Sequence, residues 1–321
     1  MVTRAQLERH QVWVYVSAIL IGLVVGTAAP TFGPAFEAAS WPALGVLLYT
    51  TFAQVPLIHL PHAFRDVRFM GAVLAGNFVL VPLVVAALLP LVPDEPAVRI
   101  GVLLVLLTPC TDWFITFVHL AGGDTRRALA VTPINLVVQL ALLPVLLWLF
   151  IGRAFLEIFA IERVAAVFAT LVIAPLAAAY LTERAVERRP ERAAFIDRLA
   201  WLPVPLLGAV VFLIAASQVH LVAAAWPVLG RVTVVFVLYL VVAAVIGTIA
   251  ARALRLPPTS GRTLVFSLGT RNSFLVLPFA LALPGSWDIA IVVIVLQSLV
   301  ELWGMVVYLW AVPRYLMPLD S

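Results

Sequence analysis

The chain predicts an all-α polytopic membrane protein in which ten transmembrane helices form two inverted five-helix repeats. Three observations carry that expectation. The 321 residues are 64% hydrophobic and 11% charged, against about 25% charged in a soluble domain. Ten apolar runs bounded by proline, glycine or arginine are long enough to cross a bilayer, which takes roughly 20 residues. The arginines fall mostly in alternate loops, as the positive-inside rule requires.

The runs lie at 11–29, 41–59, 70–91, 100–120, 128–151, 164–181, 199–219, 232–251, 263–283 and 289–312. The first follows Arg4, Arg9 and His10 and exceeds the apolar part of a secretory signal, so it reads as a retained helix. All 20 basic residues are arginine; fifteen lie in loops on the N-terminal side. Arg99, Arg153, Arg163 and Arg231 lie in the opposite loops, and Arg271 falls inside a span. That bias puts both termini in the cytoplasm and the chain in the cell inner (plasma) membrane. The net charge of +4 is then a topology signal and not a nucleic-acid footprint. The mixed charges of segment 182–198 mark a cytoplasmic connector between residues 1–181 and 199–321, with the run at 164–181 belonging to the second repeat. A single cysteine excludes an intrachain disulfide.

The halves are alike in sequence. An offset of 162 carries Phe117 to Phe279, Gly123 to Gly285, Ala128 to Ala290, Val138 to Val300 and Trp148 to Trp310. It also carries Asn135 and Gln139 to Gln297 and Glu301, an i, i+4 polar pair in each half, and Cys110 to Asn272. Five helices per half is an odd number, so the halves insert in opposite senses. Inverted repeats with interrupted helices describe secondary transporters, whose site lies where the repeats meet at mid-membrane.

Polar residues inside the spans mark that site. Thr108, Cys110 and Asp112 lie in the fourth run, Arg271, Asn272 and Ser273 in the ninth, and Gln297 and Glu301 in the tenth. Pro109 and Gly269 supply helix breaks, because proline lacks a backbone donor and glycine tolerates non-helical dihedrals. Each ionised side chain at this depth costs about 2.5–3.5 kcal/mol, so Asp112 and Arg271 are expected to pair across the breaks. Glu301 has no evident internal partner, and a carboxylate buried without a counter-charge is suited to taking up and releasing a proton. Cys110 and Glu301 are expected to meet in a water-accessible pocket. Gln54 and Gln218 line an access path or join helices through hydrogen bonds. There is no phosphate-binding loop, Gly-rich dinucleotide turn or HExxH metal motif, so an enzyme is not supported and no cofactor is implied.

Three stretches resemble the arsenite-efflux branch of the bile acid:sodium symporter superfamily. Cys110 is followed by LAGGD ending at Asp124, the tenth run carries Leu299-Val300-Glu301, and the third carries Asn77-Phe78 through Pro82. The resemblance implies that the fourth and ninth helices cross at their breaks. It implies a panel of helices 1, 2, 6 and 7 rocking against a core of helices 3–5 and 8–10. It also makes Cys110 the arsenite-binding thiol and Glu301 the proton-linked carboxylate of an exporter of arsenite or antimonite. The branch usually has an arginine before its cysteine, where this chain has Pro109; Arg271 on the ninth helix reads as that cation relocated. The sodium-coupled branch has Glu and Gln ligands where this chain has Ser267 and Arg271, so sodium coupling is not expected. The alternative is a carrier of small organic anions, with Arg271 reading the anion. Either way the partners are a small solute, protons and the lipid bilayer, with no nucleic acid or protein partner.

Overall fold

Inside lipid every backbone polar group needs a partner within the chain, which helices supply without a closed barrel. The computed structural model describes residues 6–7, 10–55, 66–111, 113–152, 161–188 and 193–319, and every named element among them is helical. Seven helices among the described residues are long and apolar enough to cross a membrane. In chain order we label α1 (Gln11–Ala28), α2 (Gly33–Phe52), α3 (Val67–Leu91), α4 (Pro96–Leu106), α5 (Phe114–Leu120) and α6 (Thr125–Ile151). There follow α7 (Ala165–Glu187), α8 (Ala194–Ser217), α9 (Trp226–Ala253), α10 (Pro258–Gly269), α11 (Ser273–Leu281) and α12 (Ile289–Ala311). Asp112, residues 56–59 of the second run and residues 189–192 of the connector lie outside the described residues.

Proline shapes several helices. Pro82, Pro175 and Pro313 each lack the N–H that would reach back one turn, and each lies in or within two residues of a π-turn (Gly76–Leu80, Phe168–Ile173 and Val312–Leu316).

The helices pack in two groups. The first joins α8 to α1 and α2, and α7 to α2; the second joins α9 to α10 and α12, and α12 to α4. Gly22 and Gly26 let α1 approach α8, since a Cβ on either would collide with the carbonyl oxygen of Phe212 or Ala216. Close approach through small residues supplies the van der Waals contact that holds helices together in lipid.

Two helix pairs, α4–α5 and α10–α11, are interrupted, and they meet at their interruptions. Pro109 and Arg271 form an antiparallel bridge. The Cys110 N–H donates to the Thr270 carbonyl at 3.2 Å, and the Asn272 N–H donates to the Thr108 carbonyl at 2.8 Å. These bonds satisfy backbone groups that the breaks release. Asn272 then caps α11, its side-chain oxygen accepting the Leu275 N–H at 3.1 Å. Gly269 plays a different part from the one expected. It is the last residue of α10, and Thr270 (φ −96°, ψ 139°) takes the extended conformation. Glycine is needed at 269 for room, because a Cβ there would lie 2.6 Å from the Tyr308 ring.

Candidate functional site

Glu301 projects from α12 to the point where the interrupted helices meet, and it is fully buried. The sequence left it without an evident partner, but three donors surround it. Oε1 accepts the Trp113 indole N–H at 3.0 Å. Oε2 accepts the Arg271 backbone N–H at 2.8 Å and the Gln297 amide at 2.7 Å. Gln297 reaches Glu301 because i, i+4 side chains stack on one helix face, and Ser273 donates to the Gln297 oxygen at 2.6 Å. The Thr270–Arg271 peptide unit thus binds Cys110 through its carbonyl and Glu301 through its N–H. The thiol-bearing segment and the carboxylate sit on opposite edges of one peptide plane.

Arg271 is fully buried. Its guanidinium donates to Asn77 Oδ1 at 2.6 Å, to the Ser267 and Leu268 carbonyls at 3.0 Å each, and to the Leu106 carbonyl at 3.3 Å. It also stacks over the Tyr239 ring, 5.6 Å from the centroid. Asn77 stands in the π-turn of α3, and its amide is fixed by the Val73 carbonyl and the Ser267 hydroxyl. The expected partner, Asp112, lies outside the described residues. What surrounds the cation among those described is a fork of neutral acceptors, which suits the five-donor geometry of arginine.

A cavity of about 200 Å³ opens between α1, α2 and α8 on one side and the crossing on the other. Thr111, Trp113 and Asn272 form its crossing wall, Gln11, Tyr15 and Gln54 its polar opposite wall. Asn272 donates to the Thr111 hydroxyl at 2.9 Å. Neither Cys110 nor Glu301 belongs to the lining. Cys110, 2% exposed, is the residue next to Thr111, and Glu301 lies behind the Trp113 indole. The open pocket expected to join these two residues is therefore a closed arrangement one side chain deep. Thr108, also buried, donates back to the Leu104 carbonyl. Gln54 lines this cavity, whereas Gln218 lines a separate apolar crevice of about 430 Å³ between α1, α8, α9 and α12.

Asn135 and Gln139 are buried on α6, and all four of their amide N and O atoms lack a hydrogen-bond partner among the described residues. They do not join the Glu301 group. Trp113 and Tyr239 are residues of the site that the sequence does not single out, and Asn77 stands out there only through the family resemblance. Trp113 had a visible signal: it sits in the middle of a span, away from the interfaces where tryptophan usually anchors.

Comparison with known proteins gives two findings. The sequence profile of the Sodium Bile acid symporter family matches residues 41–225. Over 107 residues, 33% of this chain, the sequence is 29% identical to the Arsenical-resistance protein Acr3 of Corynebacterium glutamicum. That alignment spans 29% of the length of the relative.

Proposed function

Because the chain belongs to the Sodium Bile acid symporter family, we propose that it is a secondary transporter that exports arsenite in exchange for protons. The observation that carries this reading is that the backbone of the thiol-bearing residue Cys110 and the carboxylate of Glu301 bond the two edges of the Thr270–Arg271 peptide. Similarity to an arsenical-resistance protein adds support.

The chemistry is balanced on these two groups. Arsenous acid is neutral and As(III) is thiophilic, so a soft sulfur ligand suits it. At Cys110 a sulfur–arsenic bond forms while one arsenic–oxygen bond breaks, and the hydroxyl leaves as water with the thiol proton. A single sulfur holds the cargo more weakly than a three-sulfur chelate would, which permits release. Glu301 carries the proton that is exchanged.

The proposed architecture has ten passes: the seven long helices, α2 and the two interrupted pairs. The 162-residue register supports inverted repeats, because 108 and 270 and likewise 110 and 272 are equivalent positions. Each member of one pair bonds a member of the other, so the crossing is its own image under repeat exchange. Pro109 and Arg271 are equivalent too and face each other, so an arginine relocated from one to the other stays at the crossing. In this scheme α1, α2, α7 and α8 are the panel, the remaining helices are the core, and rocking between them opens the site to either side. The organic-anion alternative needs a guanidinium facing solute. Arg271 is instead spent on protein acceptors and is not in the cavity wall.

The test is arsenite uptake by everted membrane vesicles. Uptake is expected to depend on an imposed proton gradient and to disappear in Cys110→Ser. Uptake by that variant at the native rate would remove the thiol from the mechanism.

A further inference from the structure

The crevice between α1, α8, α9 and α12 is larger than the cavity at the crossing, about 430 Å³ against about 200 Å³, and its polar groups are unevenly placed. Thr233, the deepest lining residue of α9, turns its hydroxyl back onto the Leu229 carbonyl at 2.8 Å. At the opposite end stands Gln218, the residue that follows α8. It is 4% exposed, and its Oε1 has no hydrogen-bond partner. A buried acceptor without a donor is unfavourable. The last torsion of a glutamine side chain is soft, so the amide can turn its oxygen into the crevice.

The crevice opens on the outside of the helix bundle, where Leu20 and Trp226 of its lining are 58% and 73% exposed. In a bilayer that surface meets lipid. Along α9 the lining runs from Trp226 to Thr233, about 10 Å of helix. A Cβ on Gly230, between them, would meet nothing within 4 Å, so the space beside it is unfilled. A polar end on an apolar shaft is the layout that takes an amphiphile. Charges stand near the polar end. His220 follows Gln218 by two residues and lies in electrostatic reach of Asp288, which also feels Glu37. Asp288 precedes Val292 of the lining by one helical turn, and Arg231 adjoins Gly230. Carboxylates and an unpaired amide oxygen suit a cationic donor, and an arginine suits a phosphate.

We propose that the crevice holds one acyl chain of a phospholipid whose head group is a primary ammonium, with an ammonium N–H donated to Gln218 Oε1. Phosphatidylethanolamine has this chemistry. Phosphatidylcholine carries the same charges but has no N–H to donate. The bound chain lies between the α1–α8 group and the α9–α12 group, so it limits how closely the two approach.

Native mass spectrometry of the full chain in detergent tests this, with these two lipids, matched in acyl length, as probes. One phosphatidylethanolamine is expected to stay bound per chain, and phosphatidylcholine to bind about tenfold more weakly. Gly230→Phe grows a ring into the open space and should abolish the tight lipid. Gly230→Leu, a smaller plug, should weaken it and serves if the larger variant does not fold. Gln218→Leu keeps the apolar shaft and should hold the two lipids alike. Retention of phosphatidylethanolamine at the parent level in both Gly230 variants would overturn the site. A preference for it that survives Gln218→Leu would overturn the head-group contact. If Gly230→Phe splits a dimer into monomers while the lipid count stays the same, the crevice belongs to a second copy of the chain and the proposal falls. Arsenite enters none of these measurements, so their outcome is separate from that of the transport assay.

Discussion

Among the described residues the acceptors of the Arg271 guanidinium carry no formal charge, and its Nε has no partner. Four oxygens, three of them backbone carbonyls, meet its fork of donors, and an aromatic face covers it. The carbonyls are available because α4 and α10 end here, leaving terminal C=O groups without helical partners. Arg271→Lys keeps the charge and loses the fork. A single ammonium cannot span these acceptors, so the change is expected to cost about 1–3 kcal/mol for the group left unsatisfied. The measurement is the melting temperature of the purified protein. If arsenite uptake vanishes while the melting temperature is unchanged, the guanidinium contacts the solute and the structural assignment is wrong.

Helices α6 and α12, which fall on each other at an offset of 162 residues, carry an i, i+4 polar pair at matching positions and treat it in opposite ways. Gln297 and Glu301 are surrounded by partners, whereas Asn135 and Gln139 have none among the described residues. On the 162-residue register the cause is visible. The counterpart of Arg271 is Pro109, which has no N–H, and the counterpart of Trp113 is Leu275, which has no polar hydrogen. Replacing a buried amide that lacks partners by an apolar group of similar size removes a desolvation penalty. Asn135→Leu and Gln139→Leu are therefore expected to raise stability by about 1–3 kcal/mol each, and Gln297→Leu to lower it, in thermal melts of purified protein. Lower stability in the two α6 variants would mean that these amides have partners after all.

Sequence periodicity could place the pairs on matching faces, because that needs only helical spacing. It could not show which pair finds donors, because those come from residues 24 to 188 positions away. For the same reason the apolar runs and the break at Pro109 were legible, but the roles of Gly269 and Trp113 were not. Gly269 is set by the Tyr308 ring, and Trp113 by a carboxylate on another helix.

Across the whole molecule, a polar cluster ties helix ends together away from the site. Arg127 donates to Asp66 at 2.8 Å, to Asp124 at 3.0 Å and to Ser260, joining the starts of α3, α6 and α10. Asp66 and Asp124 also cap α3 and α6 by accepting the Phe69 and Arg127 N–H groups. Arg262 donates to the Ala121 and Met317 carbonyls, adding the chain beyond α12. The Phe69 backbone N–H, with help from Arg127, holds the Asp66 carboxyl below the usual aspartate range. A depressed folded value means that its contribution is complete above the ordinary aspartate value and is lost as pH falls through the depressed one. Asp66→Asn should therefore lower the melting temperature near neutral pH and match the parent in strong acid. A gap of constant size from neutral to acid pH would remove the ionic part of this account.

The shared amide between residues 270 and 271 couples two contacts that belong to different helices. Its carbonyl and N–H are held on opposite edges by the planar peptide bond, so a tilt of that plane would loosen the Cys110 backbone and the Glu301 carboxylate in one movement.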